Sequence, residues 1–564
     1  MSAAIVLLAL TIAAPCLAQP SIEPTPGPGE VINASELPEK LFLTYSGGRA
    51  VWGKNALVAW KTLKPGTETS LATLPGERIL FVLSGSVTML VDDAKIDLRE
   101  KDLVYHRKGT RTALIEDDNT TEILEFHWPV NRNILGGARG HIPKGYTPPP
   151  ETSSATVPPG RVFNLDYLQY CDPGDGTMVR FFQGNRGQAC FIRIEPNVSL
   201  SPRSIPEEQL LVLIRGAVDI TIGDETKRME AGDITYLPPD MQHGIRAGAK
   251  GCEFIAVVSP ARDVYTQALK ERIASFHSLF TPLVQPELLV DGRFGDPLLG
   301  FAEGPNWLNG GFYFSDQQYG GMYTVDRDGS LEMINDEITP CGAAVLQNGN
   351  LAVCDIKNKS IVEMTPDGAV IGTLADTCDG KAFQGIPNDV ICDAGDGLYF
   401  TVMSFSGNRE GNVVMYRDPR GKVVRVTAPG DFGVPNGCAL SPDGSVLYLN
   451  DDTSGYVWVF DVEKDGALSG KRSFAKLILD ESQLGKERYK SFSDGMTVDA
   501  EGNLFVCASG FIQIFDPTGG YLGGFVFPKP TFHCAFGGDD LSTLYVNCMN
   551  QVYTLKTKTR GVRR

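Results

Sequence analysis

The sequence predicts an all-β protein, two small barrels followed by a six-bladed β-propeller. Three observations carry that expectation. An apolar strand recurs six times in the C-terminal half, a strand-and-loop pattern occurs twice in the N-terminal half, and 62 Gly and 36 Pro punctuate a chain of 564 residues that is 42% apolar. Repeats take precedence over local motifs, because similarity at regular spacing marks one supersecondary unit used again.

In the C-terminal half the recurring strands are "FYFSD" from 312, "LAVCD" from 351, "LYFTV" from 398, "LYLND" from 447, "LFVCA" from 504 and "LYVNC" from 544. Each is followed by another strand and a turn, as in "VWVFDVEKDG" and "IQIFDPTGG". Six four-stranded units arranged radially hide their sheet edges by repetition around a channel. Residues 285–564 form this expected propeller.

The N-terminal half repeats at a longer interval. "ERILFVLSGSVTMLVDD" with "EKDLVYHRKGTRTAL" is echoed by "EQLLVLIRGAVDITIGD" with "AGDITYLPPDMQHGI". Short alternating strands broken by Gly, Pro and Asp predict one barrel at 35–140 and a second at 161–262. Between them, 141–160 is rich in Pro, Ser and Thr and is expected to be an extended linker. "ARDVYTQALKERIASF" has helical composition, so 263–284 is expected to be a helical connector.

Residues 1–18 read as a signal peptide, an apolar run ending in Cys16-Leu17-Ala18 with cleavage after Ala18, which implies a secreted or periplasmic protein. No later stretch is apolar for long enough to span a bilayer as a helix. The net charge of −17 argues against nucleic acid or an anionic membrane surface as partner. Eight of the twelve cysteines fall in the last 230 residues without a Cys-x-x-Cys pair, and Cys354, Cys507 and Cys548 read as buried apolar-strand residues. Disulfide pairing and oligomeric state stay open.

"AGDITYLPPDMQHGI" resembles the second motif of a cupin, with Asp233, Pro238 and His243 in place, and the duplicated half resembles a bicupin. Catalytic cupins hold a transition metal through a His-x-His pair and a Glu of their first motif and a His of the second. Here Arg203 and Ser204 stand where the paired histidines belong, and Arg111 is placed opposite His243 in the first copy. With six histidines in the whole chain, the barrels are expected to bind or to support rather than to catalyse, although His243 with Glu207 or Glu208 is a candidate degenerate site.

Nine to eleven residues before each propeller strand stand Glu303, Cys341, Asn388, Asn436, Asp494 and His533. Equivalent positions on inner strands are related by rotation, so these side chains are expected to converge on one channel mouth. Asn-Gly and Asp-Gly also form turns. Four oxygen-bearing side chains at one phase of a six-fold repeat favour a hard cation site instead, Ca2+ first, with Mg2+, Mn2+ and Zn2+ as alternatives.

"FAEGPNW", "GIPNDVICDAGDGLYFT", "VPNGCALSPDGSVLYLND" and "FSDGMTVDAEGNLFV" resemble, block by block, the senescence marker protein (regucalcin)/gluconolactonase family of six-bladed propellers. The resemblance implies a divalent metal on Glu303, Asn436 and Asp494, and a substrate-binding role for Asn388. It implies hydrolysis of a small-molecule lactone or related ester, with Asp494 or a water it orients delivering the nucleophile. His533 is a candidate proton shuttle. Ile386 replaces an Arg that sugar-lactonase members often carry, and Cys341 replaces a frequent Asn, so both are expected to form an apolar substrate wall. Two rivals remain at this point: a non-catalytic binder of a carbohydrate-like small molecule, and a cupin isomerase or oxygenase.

Overall fold

The computed structural model describes residues 24–37, 48–92, 94–116, 118–130, 159–165, 176–261, 275–276, 278–281, 284–292, 298–326, 329–404, 408–479 and 490–563. The expected signal peptide lies outside them, as does nearly all of the linker. Most of the helical connector does too, but 275–276 and 278–279 are helical and carry Phe276 and Leu279. No helix among the described residues is long and apolar enough to cross a membrane.

The protein is all-β, and the N-terminal half contains two sets of antiparallel sheets. The first set is a six-stranded and a five-stranded sheet built mainly from residues 48–128; the second is an eight-stranded sheet containing the long strands Glu208–Ile222 and His243–Ser259. The expected boundaries between the barrels need correction. Val31–Asn33 pairs with Asp233–Thr235 of the second set, and Val162–Asn164 pairs with Asp102–Val104 of the first. Each set therefore takes the strand that leads into the other. The exchange is anchored twice in the same way, by Asn33 Nδ2 donating to Asp233 Oδ1 and Asn164 Nδ2 to Asp102 Oδ1, both at 2.7 Å.

A single apolar core runs across the two sets, joining Ile79, Phe81, Phe126 and Trp128 to Phe182, Phe191, Leu210 and Tyr236. Phe81 and Phe191 meet edge to face at 5.1 Å. Burying an apolar face of one sheet against another is what removes that surface from water, so neither half is complete alone. Inside the first set, Glu125 accepts from Lys61 Nζ at 2.7 Å and Arg78 Nη1 at 2.9 Å, all three fully buried. Thr112, not Arg111, turns inward here: Thr112 is buried and accepts from Arg78 Nη2 at 3.1 Å, whereas Arg111 is exposed.

The C-terminal half contains six four-stranded antiparallel sheets. Their first strands are Ala302–Leu308, Pro340–Val345, Ile386–Cys392, Pro435–Leu440, Met496–Val498 and His533–Gly537. Each first strand contacts that of the next sheet, and the sixth contacts the first. The last sheet takes its outer strand, Glu287–Asp291, from the beginning of this half and the rest from the C-terminus. The beginning and end of this half are thereby held together by a ladder of backbone hydrogen bonds. Phe276 and Phe280 pack on Phe525, at 5.7 and 4.8 Å between ring centroids.

Candidate functional site

The glycines that recur beside the candidate ring have a packing cause. A Cβ on Gly304 would collide with the Cys341 carbonyl, one on Gly342 with Asp389, one on Gly437 with the Asp494 carbonyl and one on Gly495 with the His533 ring. Neighbouring inner strands thus approach so closely that only glycine fits after Glu303, Cys341, Asn436 and Asp494. Turn formation is not their role. In four sheets the ladder also slips at this level, between Glu303 and Asn306, Pro340 and Ala343, Pro387 and Val390, and Pro435 and Cys438. A bulge bends its strand and re-aims the side chain beside it, which places Glu303, Cys341, Asn388 and Asn436 at equivalent irregularities.

Hydrogen bonds from second strands fix the ring across sheet boundaries. Ser315 Oγ donates to the Cys341 carbonyl at 2.7 Å, Asn450 Nδ2 to the Asp494 carbonyl at 2.6 Å, and Asn547 Nδ2 to the Glu303 carbonyl at 3.1 Å. Sequence reasoning missed these three. Their signal was a polar residue at the same place in otherwise apolar buried strands, "FYFSD", "LYLND" and "LYVNC".

Glu303, Asn388, Asn436 and His533 are buried, and Asp494 is partly exposed. Burial, countered by the charge of His533, leaves the Glu303 carboxyl raised to about 7, with Asp389 adding to the rise. Burial and the charge of Glu303 push Asp494 well above the usual carboxylate range. The amide oxygen of Asn436 is buried with no hydrogen-bond partner. Two carboxylates disfavoured in their charged form and an orphaned carbonyl oxygen are the donor set a hard divalent cation satisfies. Among the described residues no group of three His, Cys, Asp or Glu gathers as a metal cluster. The set on this ring is of another kind, two carboxylates and one amide.

Asp389, also missed, organises the floor beneath the ring. Its Oδ2 accepts from the Cys438 backbone at 2.8 Å, and its Oδ1 faces His533 Nε2 at 3.4 Å. Burial lowers the His533 pKa, but the charge and hydrogen bond of Asp389, with Glu303 behind them, outweigh it and raise it to about 10. The backbone N–H of Cys534 also points at His533 Nδ1 at 2.9 Å, so the chain engages that nitrogen and Nε2 is the one that faces Asp389. Cys341 is not an open wall: it is 2% exposed, and its sulfur accepts from Gln317 Nε2 at 3.0 Å and Asn388 Nδ2 at 3.4 Å. Ile386 stays half-buried at the rim, paired with Met403.

A cavity of about 380 Å3 is lined by Asp389 and His533 together with Asn306, Trp307 and Arg563. Its walls come from residues downstream of the ring on every inner strand, so it lies on the far side of the Asp389–His533 pair. In the N-terminal half, His243 bonds the Met241 carbonyl at 3.0 Å, while Glu208 binds a loop of the other sheet set. The structure does not bring His243 and Glu208 together as a degenerate site.

Residues 301–550 match the SMP-30/Gluconolactonase/LRE-like region, and residues 185–298 match the AraC-like ligand binding domain. The C-terminal half therefore carries a domain of the SMP-30/gluconolactonase family. A gluconolactonase from Zymomonas mobilis is 29% identical over 293 residues, covering 46% of this chain and 80% of the relative. Regucalcin from Bos taurus is 35% identical over 120 residues, 20% of this chain and 37% of that protein. The solved structure of a gluconolactonase from Xanthomonas campestris aligns with a TM-score of 0.44 at 23% identity, over 50% of this chain and 93% of that one.

Proposed function

We propose that the protein is an exported, metal-dependent hydrolase of a lactone or related ester, acting at the mouth of a six-bladed propeller channel. The observation that carries the reading is the meeting of Glu303 and Asp494 beside the unpartnered amide oxygen of Asn436. The likeness to a gluconolactonase supports the reaction class. The cyclic contacts of the six inner strands support closure into a propeller, and the apolar residues 1–18 support export.

Glu303, Asn436 and Asp494 would hold the ion, Ca2+ being the first candidate. When bound, a divalent cation supplies Lewis-acid polarisation of an ester carbonyl and stabilises developing negative charge. Asp494 is the less buried residue of the two carboxylates, so it orients the attacking water and accepts its proton. Asn388 is placed beside the same mouth to orient a substrate oxygen. His533, hydrogen-bonded through Nε2 to Asp389 at 3.4 Å, lies beside the two carboxylates, and its role is electrostatic positioning.

The test is a panel of lactones, aryl esters and phosphotriesters, assayed after EDTA treatment and again with Ca2+, Zn2+, Mn2+ or Mg2+. The reading expects lactone or ester turnover that EDTA abolishes and one divalent ion restores. Turnover unaffected by chelation would remove the metal from the reaction, and no turnover on any substrate would favour a binding protein. N-terminal sequencing of the exported chain checks cleavage after Ala18.

A further inference from the structure

The rim above the ring is apolar at nearly every strand. Two residues upstream of Glu303, Asn388, Asn436 and Asp494 stand Phe301, Ile386, Val434 and Phe492, and Phe532 immediately precedes His533. None of these five is charged and all are at least partly exposed. Phe301 and Phe532 touch across the boundary between the first and last sheets, their ring centroids 3.9 Å apart. At about 3.3 Å of rise per strand residue, Ile386 stands roughly 7 Å before Asn388 on one strand, and the other four precede the first residues of their strands.

Phe492 is the most informative member. Its side chain is 49% exposed, and its backbone has φ +47°, a region that bulky residues rarely adopt. The conformation is imposed from both sides. Ser491 and Ser493 are fully buried and bonded to each other at 2.9 Å, Ser491 N donates to the Asp452 carbonyl, and Asp494 N donates to the Cys507 carbonyl, the latter two at 2.8 Å. An exposed aromatic ring on an over-determined, left-handed backbone next to a candidate ligand is a costly arrangement unless something apolar covers it.

We infer that the collar of Phe301, Ile386, Val434, Phe492 and Phe532 selects a lactone or ester with an alkyl or aryl substituent over a polyhydroxylated one. This rests on the hydrolase reading of the same ring. The five side chains remove hydrocarbon from water and themselves offer a hydroxyl group no hydrogen bond, so a polyol set against them loses hydrogen bonds to water without replacement. Selection resides in these side chains, outside the candidate ligands, and so acts on discrimination rather than on the ion.

Two measurements on the full chain with Ca2+ test the inference. In turnover, a δ-alkyl-δ-valerolactone should exceed glucono-δ-lactone in kcat/KM by at least tenfold, and Ile386→Arg or Phe492→Ser should cut that ratio by tenfold or more while Ca2+ affinity stays within twofold. In calorimetry, the non-hydrolysable alkyl lactam should bind at least tenfold more tightly than gluconolactam, and Phe492→Ser should erase the difference. Glucono-δ-lactone preferred in both measurements would overturn the collar and leave the hydrolase reading standing. No turnover of either lactone, with no lactam preference, would overturn both. Tight binding of the alkyl lactam without turnover would uphold the collar and sink the hydrolase.

Discussion

Glu77 and Glu208 are the same residue used twice, each crossing to the opposite set of sheets to cap its loop. Glu208 accepts from the backbone N–H groups of Lys54, Asn55 and Ala56 at 2.9, 2.7 and 2.8 Å, and Glu77 accepts from those of Asn185 and Arg186 at 2.9 and 3.2 Å. Tyr236 donates to Glu208 at 3.3 Å. With the exchanged strands at Val31 and Val162, these bonds make the N-terminal half an internal pseudo-dimer whose two members hold each other.

That reciprocity sets the first prediction. Glu208→Ala leaves three backbone donors without their carboxylate in a buried junction, and it should lower the stability of the N-terminal half by about 3 kcal/mol. Urea unfolding of the fragment 24–262 measures it. A loss below about 1 kcal/mol would mean that water replaces the carboxylate freely.

Glu125 gives a pH dependence. Burial alone would raise its pKa, but Lys61 and Arg78 together hold it well below its ordinary value of 4.5. A carboxylate depressed in the folded state contributes stability that is present above pH 4.5 and is lost as pH falls through the folded pKa. Urea midpoints of the same fragment should therefore decline below pH 4.5, and Glu125→Gln should be less stable at pH 7 yet flatter in acid. Parallel profiles for the two proteins would contradict the assignment.

Asp494→Ala removes the carboxylate that is both a candidate ligand and the base. Hydrolysis should fall by more than a hundredfold, about 2.7 kcal/mol of barrier, with unchanged circular dichroism. Activity retained within tenfold would assign the base elsewhere.

Asn547 acts through Glu303, whose carbonyl it binds at 3.1 Å. Asn547→Leu should leave the fold in place but weaken Ca2+ affinity about tenfold by calorimetry, while Asn547→Gln should recover part of it. Equal affinity in all three proteins would make Asn547 a structural residue only.

Gly437→Ala tests the packing account of the repeated glycines. The added Cβ meets the Asp494 carbonyl, so the C-terminal half should lose about 2 kcal/mol or more, as overpacked sites do. Thermal unfolding of the full chain reports it. A neutral result would return Gly437 to a turn-forming role.

The sequence by itself determined the all-β class, the six-fold recurrence and the phase of Glu303, Asn436 and Asp494, because strand periodicity and repeat spacing are local properties written along the chain. Through the family resemblance it also singled out Ile386 as an apolar residue. Asp389 was hidden, since an Asp beside Asn388 reads as half of a turn until His533, 144 residues away, is brought to its side. The tertiary structure alone decided that the glycines serve close strand packing, that Cys341 is covered by Asn388 and Gln317, and that His533 faces Asp389. It also decided that Val31–Asn33 and Val162–Asn164 pair with the opposite sets of sheets. Those outcomes depend on which strands lie side by side and on how burial sets the energy of a charge, and neither quantity is a property of neighbouring letters.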